Sequence, residues 1–398
     1  MKVLQINCVY GYASTGVITR DIQQCSLNNG IDAYVAFQKG HGVGNERTYE
    51  IGSTLDHKIH AILCRIAGKQ AYFSHCATRR LLRYMDQLQP DIVHLHNLHN
   101  NYINLNMVLR YLAEKDIKTV ITLHDCWYFT GGCFHFASVG CERWKSGCGH
   151  CPKQKQDTLA LLYDASASIL RDRIKLLSAI RNLTVVGVSK WVAEECCSSM
   201  LGVKNIMYIY NGFDLSVFKP SPSDMRRRLG LESKRIILGP AGKWLLPINR
   251  RTLGYFLRQM ANDEVLLLFG CSGKEAIASD KICLYGYTRS SEELAQLYSM
   301  ADVMINVSRE DTLSSLNLEC QACGTPVITY DATGNKETVN DICSWTVKAG
   351  DYEALWIAYQ RMKDMNIEQL SQECVIRIAS EFERDTNYQK YIELYKKL

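Results

Sequence analysis

The chain has 398 residues, of which 47% are hydrophobic and 22% are charged, and its 46 Lys and Arg exceed its 41 Asp and Glu by five. This composition excludes a disordered or fibrous chain, and the length predicts two domains, each with its own core. A net charge of +5 over this length is too weak for a nucleic-acid-binding protein. No apolar run of 18 residues occurs and no apolar leader opens the chain, so we expect a cytoplasmic protein.

Short apolar, β-branched segments alternate with helical stretches along the chain. They fall into two series: 3–6, 33–37, 91–96, 119–124 and 183–189, then 206–210, 235–239, 264–270, 282–286, 302–307 and 325–330. Segments that are apolar at successive positions are typical of parallel strands buried on both faces. The pattern predicts an α/β protein with two parallel-sheet domains, over 1–205 and 206–377, followed by a C-terminal helix within 378–398.

Residues 55–89 interrupt this alternation, because they carry no strand signal. Lys, Arg and His are interleaved there with Ile, Leu, Tyr and Phe at helical spacing. Two interpretations are open. The stretch is a basic amphipathic surface for an anionic membrane or a lipid-linked substrate, or it is one or two helices that pack on the sheet and expose a solvated basic face.

Ligands of open parallel sheets bind beyond the carboxyl ends of the strands, so the segments that follow strands are candidate sites. The first strand is followed by GYASTG (11–16), a loop of small residues that opens a helix. Such a loop lets backbone N–H groups approach a phosphate, although an ordinary tight turn would have the same composition. His124 and Asp125 follow the fourth strand and could orient a substrate hydroxyl or a leaving phosphate. His94 and His96 share one strand face, and His94 is expected to be a hydrogen-bonded structural residue.

The strongest signal lies in 306–335. A strand is followed there by Asp311, a polar loop, and a helix that begins near Leu313 to Ser315 and carries Glu319. The free N–H groups of a helix N-terminus bind anions, and a carboxylate one turn inside the helix can accept hydrogen bonds from vicinal hydroxyls. An anion next to a diol predicts a sugar nucleotide as the ligand.

A cysteine-rich loop spans 126–152. The chain has 17 cysteines, an odd number that is too dilute for a disulfide scaffold, so most should be reduced. Four of them crowd together in this loop: Cys133, Cys141, Cys148 and Cys151. Three interpretations remain open: a structural zinc site, a reduced or occasionally disulfide-linked loop, and redox or catalytic thiol chemistry.

The whole chain resembles family 4 of the retaining GT-B glycosyltransferases. The family marker E-x7-E is present as Asp311-x7-Glu319, followed by ACGTPVI (322–328). Supporting motifs follow the family order: VSKWV (188–192), YNGFDLSVF (210–218), LFGCSG (268–273) and YSMADVMINVSRED (298–311). The segments ASTGVITRDI, PDIVHLHNLHN and TLHDCWYFTGGC resemble the branch that acts in capsule, exopolysaccharide and O-antigen synthesis.

This resemblance implies two Rossmann-like domains that face each other across a cleft, and a C-terminal helix that crosses back to the first. It implies that the Gly16 backbone lies near the donor diphosphate, that His124 contacts the donor sugar, and that Asp311 binds sugar hydroxyls. It also implies that Leu313, Ser314 and Ser315 offer N–H groups to the diphosphate or the sugar, and that Glu319 holds the ribose. In place of the family's Lys-Gly pair, the available cations are Lys243, Arg250 and Arg251.

The resemblance predicts transfer of a hexose from a UDP- or GDP-sugar to a polyprenyl-diphosphate-linked or oligosaccharide acceptor, with retention of anomeric configuration. No metal is expected in catalysis, because helix dipoles and cations can neutralise the departing diphosphate. Contact with the inner face of the membrane is part of this expectation. Two alternatives remain: a GT-B epimerase, and a non-catalytic partner that binds sugar nucleotide within a polysaccharide assembly complex.

Overall fold

The computed structural model describes residues 1–40, 45–275, 277 and 279–398. The chain forms two compact units. One comprises Met1–Asn211 together with Asp385–Leu398, and the other comprises Gly212–Arg384.

The N-terminal unit is built on a parallel sheet. Its strands are β1 Lys2–Tyr10, β2 Asp32–Gly40, β3 Thr48–Glu50, β4 Ile92–Leu95, β5 Lys118–Leu123, β6 Leu183–Gly187 and β7 Asn205–Tyr208. The helices are α1 Ala13–Asn28, α2 Thr54–Ala67, α3 His75–Leu88, α4 Leu105–Glu114, α5 Ser166–Ser178 and α6 Lys190–Cys197. The strand order is β3-β2-β1-β4-β5-β6-β7, so the chain reverses its direction across the sheet between β1 and β4.

The second unit repeats this architecture. Its strands are β8 Arg235–Pro240, β9 Glu264–Cys271, β10 Ile282–Gly286, β11 Val303–Asn306, β12 Val327–Asp331 and β13 Trp345–Lys348, in the order β10-β9-β8-β11-β12-β13. The helices are α7 Met225–Arg228, α8 Ala241–Trp244, α9 Arg250–Gln259, α10 Ser291–Ser299, α11 Ser315–Ala322, α12 Tyr352–Lys363 and α13 Ile367–Glu381. Successive residues of β8 point into different cores, with Ile237 in one and Ile236 and Leu238 in the other. This sheet is therefore buried on both faces, as the continuous apolar runs predict.

The last helix, α14 (Arg384–Lys397), belongs to the N-terminal unit from Asp385 onward. Its buried residues Tyr388, Tyr391 and Tyr395 join a core that includes Val3 of β1 and Val120 of β5. The segment that returns to this unit is shorter than the predicted 378–398, because α13 ends at Glu381 and stays in the second unit.

The domain boundary is also corrected. The segment 206–210 was expected to open the second series, but β7 pairs in parallel with β6 of the first sheet. As an edge strand it is largely exposed, so its apolar pattern could not show which sheet it joins. The second unit consequently begins at Gly212, within the turn-rich segment that follows.

Candidate active site

The second sheet reverses direction between β8 and β11, which are adjacent and parallel. Ligands of open α/β sheets bind beyond the carboxyl ends of the strands at such a reversal. The segments in that position are α8, directly after β8, and residues 307–314, directly after β11. The predicted site residues Asp311, Leu313 and Ser314 therefore lie in the segment after β11, where the topology favours a ligand.

Helix α11 begins in this segment with Ser314 as its N-cap. The side-chain amide of Asn306, at the end of β11, donates to Ser314 Oγ at 3.2 Å and to Asn317 Oδ1 at 2.8 Å. Leu313 and Ser314 are buried, whereas Ser315 is partly exposed. Strand and helix are thus joined by buried hydrogen bonds, and the first N–H groups of the helix are held at the carboxyl end of the sheet.

Glu319 lies just over one turn into α11. The hydroxyl of Tyr298 donates to Glu319 Oε2 at 3.1 Å. Burial raises the pKa of the Glu319 carboxyl to about 7, against the opposing effect of the Tyr298 hydrogen bond. Hydrogen bonds from hydroxyl donors stabilise the ionised form of a buried carboxyl group. The position of Glu319 therefore suits hydrogen bonding to a diol.

The loop that carries Asp311 is braced by residues 333–335. The backbone N–H of Asp311 donates to Thr333 Oγ1 at 2.9 Å, and the carbonyl of Asp311 accepts from the Thr333 hydroxyl at 2.6 Å and from the Gly334 N–H at 3.0 Å. A Cβ atom at Gly334 would lie 1.7 Å from the carbonyl oxygen of Thr312, so only glycine fits there. Residues 333–334 therefore hold the acidic loop in place by these contacts.

Two buried polar atoms beside this loop have no hydrogen-bond partner among the described residues. They are Thr312 Oγ1 and the side-chain oxygen of Asn335. The amide group of the same Asn335 side chain donates to Ser308 O at 3.1 Å. Buried polar atoms are normally paired, so unpaired ones between the acidic loop and its brace indicate a place where a ligand or water completes the bonding.

Buried Asn249 links the cation-bearing segment after β8 to the loop after β11. Its amide donates at 3.0 Å both to Lys243 O and to Val307 O, and its oxygen accepts from Arg309 Nε at 3.4 Å. Arg250 and Arg251 follow Asn249 at the exposed start of α9. Arg309 is a candidate phosphate ligand that sequence reasoning missed. Its position three residues after β11 was the available signal.

In the N-terminal unit, the loop after β1 lies at the reversal between β1 and β4. The N–H of Gly11 donates to Gly16 O at 3.0 Å, and a Cβ at Gly16 would lie 3.2 Å from the backbone of Val9 and Tyr10. Helix α1 therefore packs closely against the end of β1. Asn7 reinforces this approach, since its amide donates to Val9 O at 2.9 Å and to Thr15 O at 3.1 Å.

His124 follows β5 and belongs to a row of three neighbouring imidazole rings. The His94 and His96 rings lie 4.1 Å apart, and the His96 and His124 rings lie 5.3 Å apart. His94 is hydrogen-bonded at both nitrogens, to Tyr395 Oη at 2.6 Å and to Thr122 Oγ1 at 2.7 Å. The predictions that His94 is structural and that it shares a face with His96 are confirmed.

The hydrogen bonds fix which nitrogen of His124 carries the proton. Gln5 donates through Nε2 to the Thr19 carbonyl at 3.1 Å, so Gln5 Oε1 must accept from His96 Nε2, 3.0 Å away. His96 is fully buried, and burial together with the neighbouring imidazoles holds its pKa well below the usual range, so the ring is neutral. Its Nδ1 is therefore an acceptor. His124 Nε2, 3.0 Å from it, must donate, which leaves a lone pair on His124 Nδ1.

His124 is itself neutral near pH 7. Burial lowers its pKa to about 4, against the opposing charge of Asp125. Asp125 accepts from the Trp127 N–H at 2.8 Å and pairs with His99 Nε2 at 3.0 Å. His124 is thus arranged to accept a hydrogen bond through Nδ1 rather than to donate a proton as an imidazolium.

The four clustered cysteines, Cys133, Cys141, Cys148 and Cys151, line one small cavity. All are free thiols, and burial raises the pKa of Cys133 to about 12 and of Cys148 to about 11. Across the described ranges, no group of three or more His, Cys, Asp or Glu side chains is arranged to hold a metal ion. Shared lining of one cavity agrees with a common role, and zinc binding stays a prediction.

Two family models match the chain. One, described as "Glycosyltransferase Family 4", matches residues 27–217, and the other, described as "Glycosyl transferases group 1", matches residues 252–364. The Escherichia coli K12 protein named "Putative colanic acid biosynthesis glycosyl transferase WcaC" is 22% identical over 364 residues, covering 85% of each chain.

Solved structures share the fold across the whole chain. HepE of Anabaena in complex with UDP aligns with a TM-score of 0.70 at 15% identity and covers 100% of both chains. WaaG, a glycosyltransferase of lipopolysaccharide biosynthesis, aligns with a TM-score of 0.64 at 11% identity, covering 98% of this chain and 99% of the other. With one family model matching most of each unit, the chain belongs to family 4 of the glycosyltransferases and has the GT-B fold.

Proposed function

We propose that this glycosyltransferase uses a nucleotide sugar as donor and binds it in the second unit. The observation that carries the proposal is the arrangement around α11: a helix N-terminus at the strand ends, Glu319 one turn inside, and unpaired Thr312 Oγ1 beside them. The helix N-terminus suits a diphosphate, and Glu319 suits a ribose diol. Complexes of HepE with UDP and with UDP-glucose support this choice of donor class.

The same proposal assigns roles to the remaining residues. Asp311 binds hydroxyls of the transferred sugar, while Lys243, Arg250 and Arg251 supply positive charge for the diphosphate. Arg309 joins this set, because Asn249 holds its guanidinium beside the segment that follows β8. Neutralisation by these cations and by the helix N-terminus leaves the chemistry without a requirement for a metal ion.

In the N-terminal unit, the Gly16 backbone is proposed to approach the donor diphosphate, and His124 to act on the transferred sugar. The neutral His124 ring has a free lone pair on Nδ1, which suits acceptance of a hydrogen bond from a sugar hydroxyl. Orientation by such a bond supports front-face departure of the nucleotide diphosphate and retention of anomeric configuration. The transferred group is a hexose.

The proposed acceptor is a lipid-linked or free oligosaccharide in the synthesis of a cell-surface polysaccharide. The similarity to WcaC supports this setting. The alternative is a catalytically silent protein that only binds sugar nucleotide. The absence of the Lys-Gly pair is the feature that favours this alternative. Arg309 offers a replacement cation, so the missing pair is not by itself an argument against the enzyme.

Thermal unfolding in the presence of UDP-, GDP- and dTDP-sugars identifies the base. A ligand present at 100 times its Kd stabilises the protein by about 2.7 kcal/mol, whereas a base that does not bind leaves Tm unchanged. Thr312→Val and Arg309→Gln should reduce the shift, and Arg361→Gln on α12 serves as a matched control. A panel in which no nucleotide sugar raises Tm contradicts the proposed donor site. The coupling constant of the anomeric proton in the isolated product then tests retention.

A further inference from the structure

Helix α2 exposes a more apolar face than the one it buries. The residues that point outward at helical spacing are Leu55, Ile59, Ile62, Leu63 and Ile66, with between 39% and 66% of each exposed. The buried positions are His57, His60 and Cys64. A helix of a soluble domain normally places its apolar stripe toward the core, so this helix is inverted.

The buried face of α2 is held by hydrogen bonds. His57 Nε2 lies 2.9 Å from Ile51 O, and His60 Nδ1 lies 2.7 Å from Ser74 Oγ. A complete capping box between Ser53 and Asp56 fixes the start of the helix, and Gly68 in the left-handed conformation ends it. The helix is thus firmly oriented, and its apolar stripe is directed outward by these contacts.

A second apolar segment adjoins the end of α2. Leu161, Leu162 and Tyr163 are 65% to 70% exposed, so their side chains protrude. The N–H of Leu161 donates to Arg65 O at 2.8 Å, and a Cβ at Gly68 would meet Tyr163 O. The helix stripe and this loop tip therefore form one apolar surface, which we call the α2 surface.

Positive charge accompanies the α2 surface. Residues 54–88 contain six Lys and Arg but two Asp, a net +4 where the whole chain has +5. Lys58 and Arg65 are exposed and lie next to the stripe on one side of the helix. Long basic side chains in that position can cover apolar surface with their stems while their charged ends reach phosphate groups.

We propose that the α2 surface docks on a lipid bilayer that contains anionic lipids, with the apolar side chains at the acyl boundary and the basic ones at the headgroups. Protruding aliphatic side chains beside Lys and Arg are typical of helices that lie in a membrane interface. A second copy of the chain fits less well, since its own excess of basic residues would meet that of the first. None of the helices in the described ranges has the length and apolar character of a membrane span.

This inference deepens the proposed function, because it rests on the acceptor being lipid-linked rather than free, yet its test requires no transfer. Purified protein is sedimented with sucrose-loaded vesicles of phosphatidylcholine, with or without 30 mol% phosphatidylglycerol, in the absence of nucleotide. We expect binding to the anionic vesicles that weakens as salt is raised.

Paired substitutions then locate the surface. Ile59→Ser with Ile62→Ser, and separately Leu161→Ser with Leu162→Ser, should each reduce the partition coefficient at least about tenfold. Lys58→Gln with Arg65→Gln should weaken binding to anionic vesicles only. The matched control is Ile357→Ser with Ile376→Ser, a pair on the second unit that is exposed to a similar degree.

Circular dichroism melting confirms that each variant is folded. Wild-type protein that stays in the supernatant, or an equal loss in the control pair, overturns the proposal. Sedimentation velocity without lipid tests for a dimer. A dimer that the Ile59 and Ile62 substitutions abolish would also overturn the proposal, because a second copy of the chain would then cover the α2 surface. If vesicle binding is absent but transferase activity persists, the membrane-docking proposal fails while the proposed function stands.

Discussion

His96 Nδ1 lies 3.0 Å from His124 Nε2 and is the acceptor of that hydrogen bond. The proton assignment originates at Gln5, whose amide is oriented by the carbonyl of Thr19 and whose oxygen faces His96. Gln5, a buried glutamine of β1, thus determines which nitrogen of His124 is free. The consequence is an imidazole that presents a lone pair at neutral pH.

Gln5→Leu should remove this control without altering His124 itself. The His96 ring then loses its partner at Nε2, and both tautomers of His124 become populated. Nitrogen-15 shifts of the histidine rings report the tautomer directly, and we expect Nε2-protonated His124 in the wild type and a mixture in the variant. Because the Nδ1-protonated tautomer lacks the free lone pair, kcat should fall in proportion to its population, roughly twofold for an even mixture. A wild-type spectrum with His124 protonated at Nδ1 would contradict the assignment.

His124→Ala should lower kcat by roughly 10²-fold, since it removes an interaction with the reacting sugar. His124→Asn places an oxygen near the position of Nδ1 and should retain more activity than the alanine variant. The activity of the wild type should not titrate between pH 6 and 8 on account of His124, whose pKa is about 4. Steady-state kinetics of both variants provide the measurement, and a near-normal kcat for His124→Ala refutes the role.

Glu319 should make donor binding depend on pH. Its carboxyl has a pKa raised to about 7 and is half-protonated there, while hydrogen bonds from a ribose favour the ionised form. Affinity should therefore rise with pH, by about tenfold between pH 6 and 8, as the carboxylate becomes available. Titration with UDP-glucose is informative, because its phosphodiester groups do not ionise in this range. Glu319→Gln should bind more weakly and flatten the profile, and a pH-dependence unchanged in that variant would exclude Glu319 as its source.

Activity should persist in excess EDTA, because helix N–H groups and cations, rather than a metal, are proposed to stabilise the leaving diphosphate. The measurement is the transfer rate before and after chelation, with Mg²⁺ added back as the control. Complete loss that Mg²⁺ restores would contradict this prediction.

The spacing of Cys133, Cys141, Cys148 and Cys151 in the sequence predicts about one zinc per chain in protein purified without chelator, although the described residues hold no three of these thiols in a metal-binding arrangement. Elemental analysis measures it, and Cys148→Ser should lower the content while Cys76→Ser, at an exposed position on α3, should not. A content well under one zinc per chain leaves two interpretations of the loop, a reduced or occasionally disulfide-linked loop and thiol redox or catalytic chemistry.

The sequence predicted most of the fold because its buried strands are continuously apolar. It failed where strands are short or exposed. Strands β3 and β13 carry too little burial to be recognised, and β7 was assigned to the wrong sheet because an edge strand shows no partner preference in its own residues.

For the candidate site too, residues with a local sequence signal could be predicted, whereas most of the others could not. Asp311, Ser314 and Glu319 could be proposed from the sequence because local order along the chain places them on one loop and helix. Arg309 was overlooked although it follows β11 closely along the chain, and the brace formed by Thr333 and Gly334 was missed because it arises through contacts with residues distant in sequence. The same holds for Gln5, which is 91 residues from His96.

Release of nucleoside diphosphate from a nucleotide sugar tests the central claim most directly. Wild-type protein, given the nucleotide sugar that raises its Tm, should release the diphosphate slowly without acceptor and faster with a lipid-linked oligosaccharide extract. Glu319→Gln and His124→Ala should each suppress the release. Wild-type protein that binds the nucleotide sugar but releases no diphosphate under either condition would contradict the account and identify a binding protein instead.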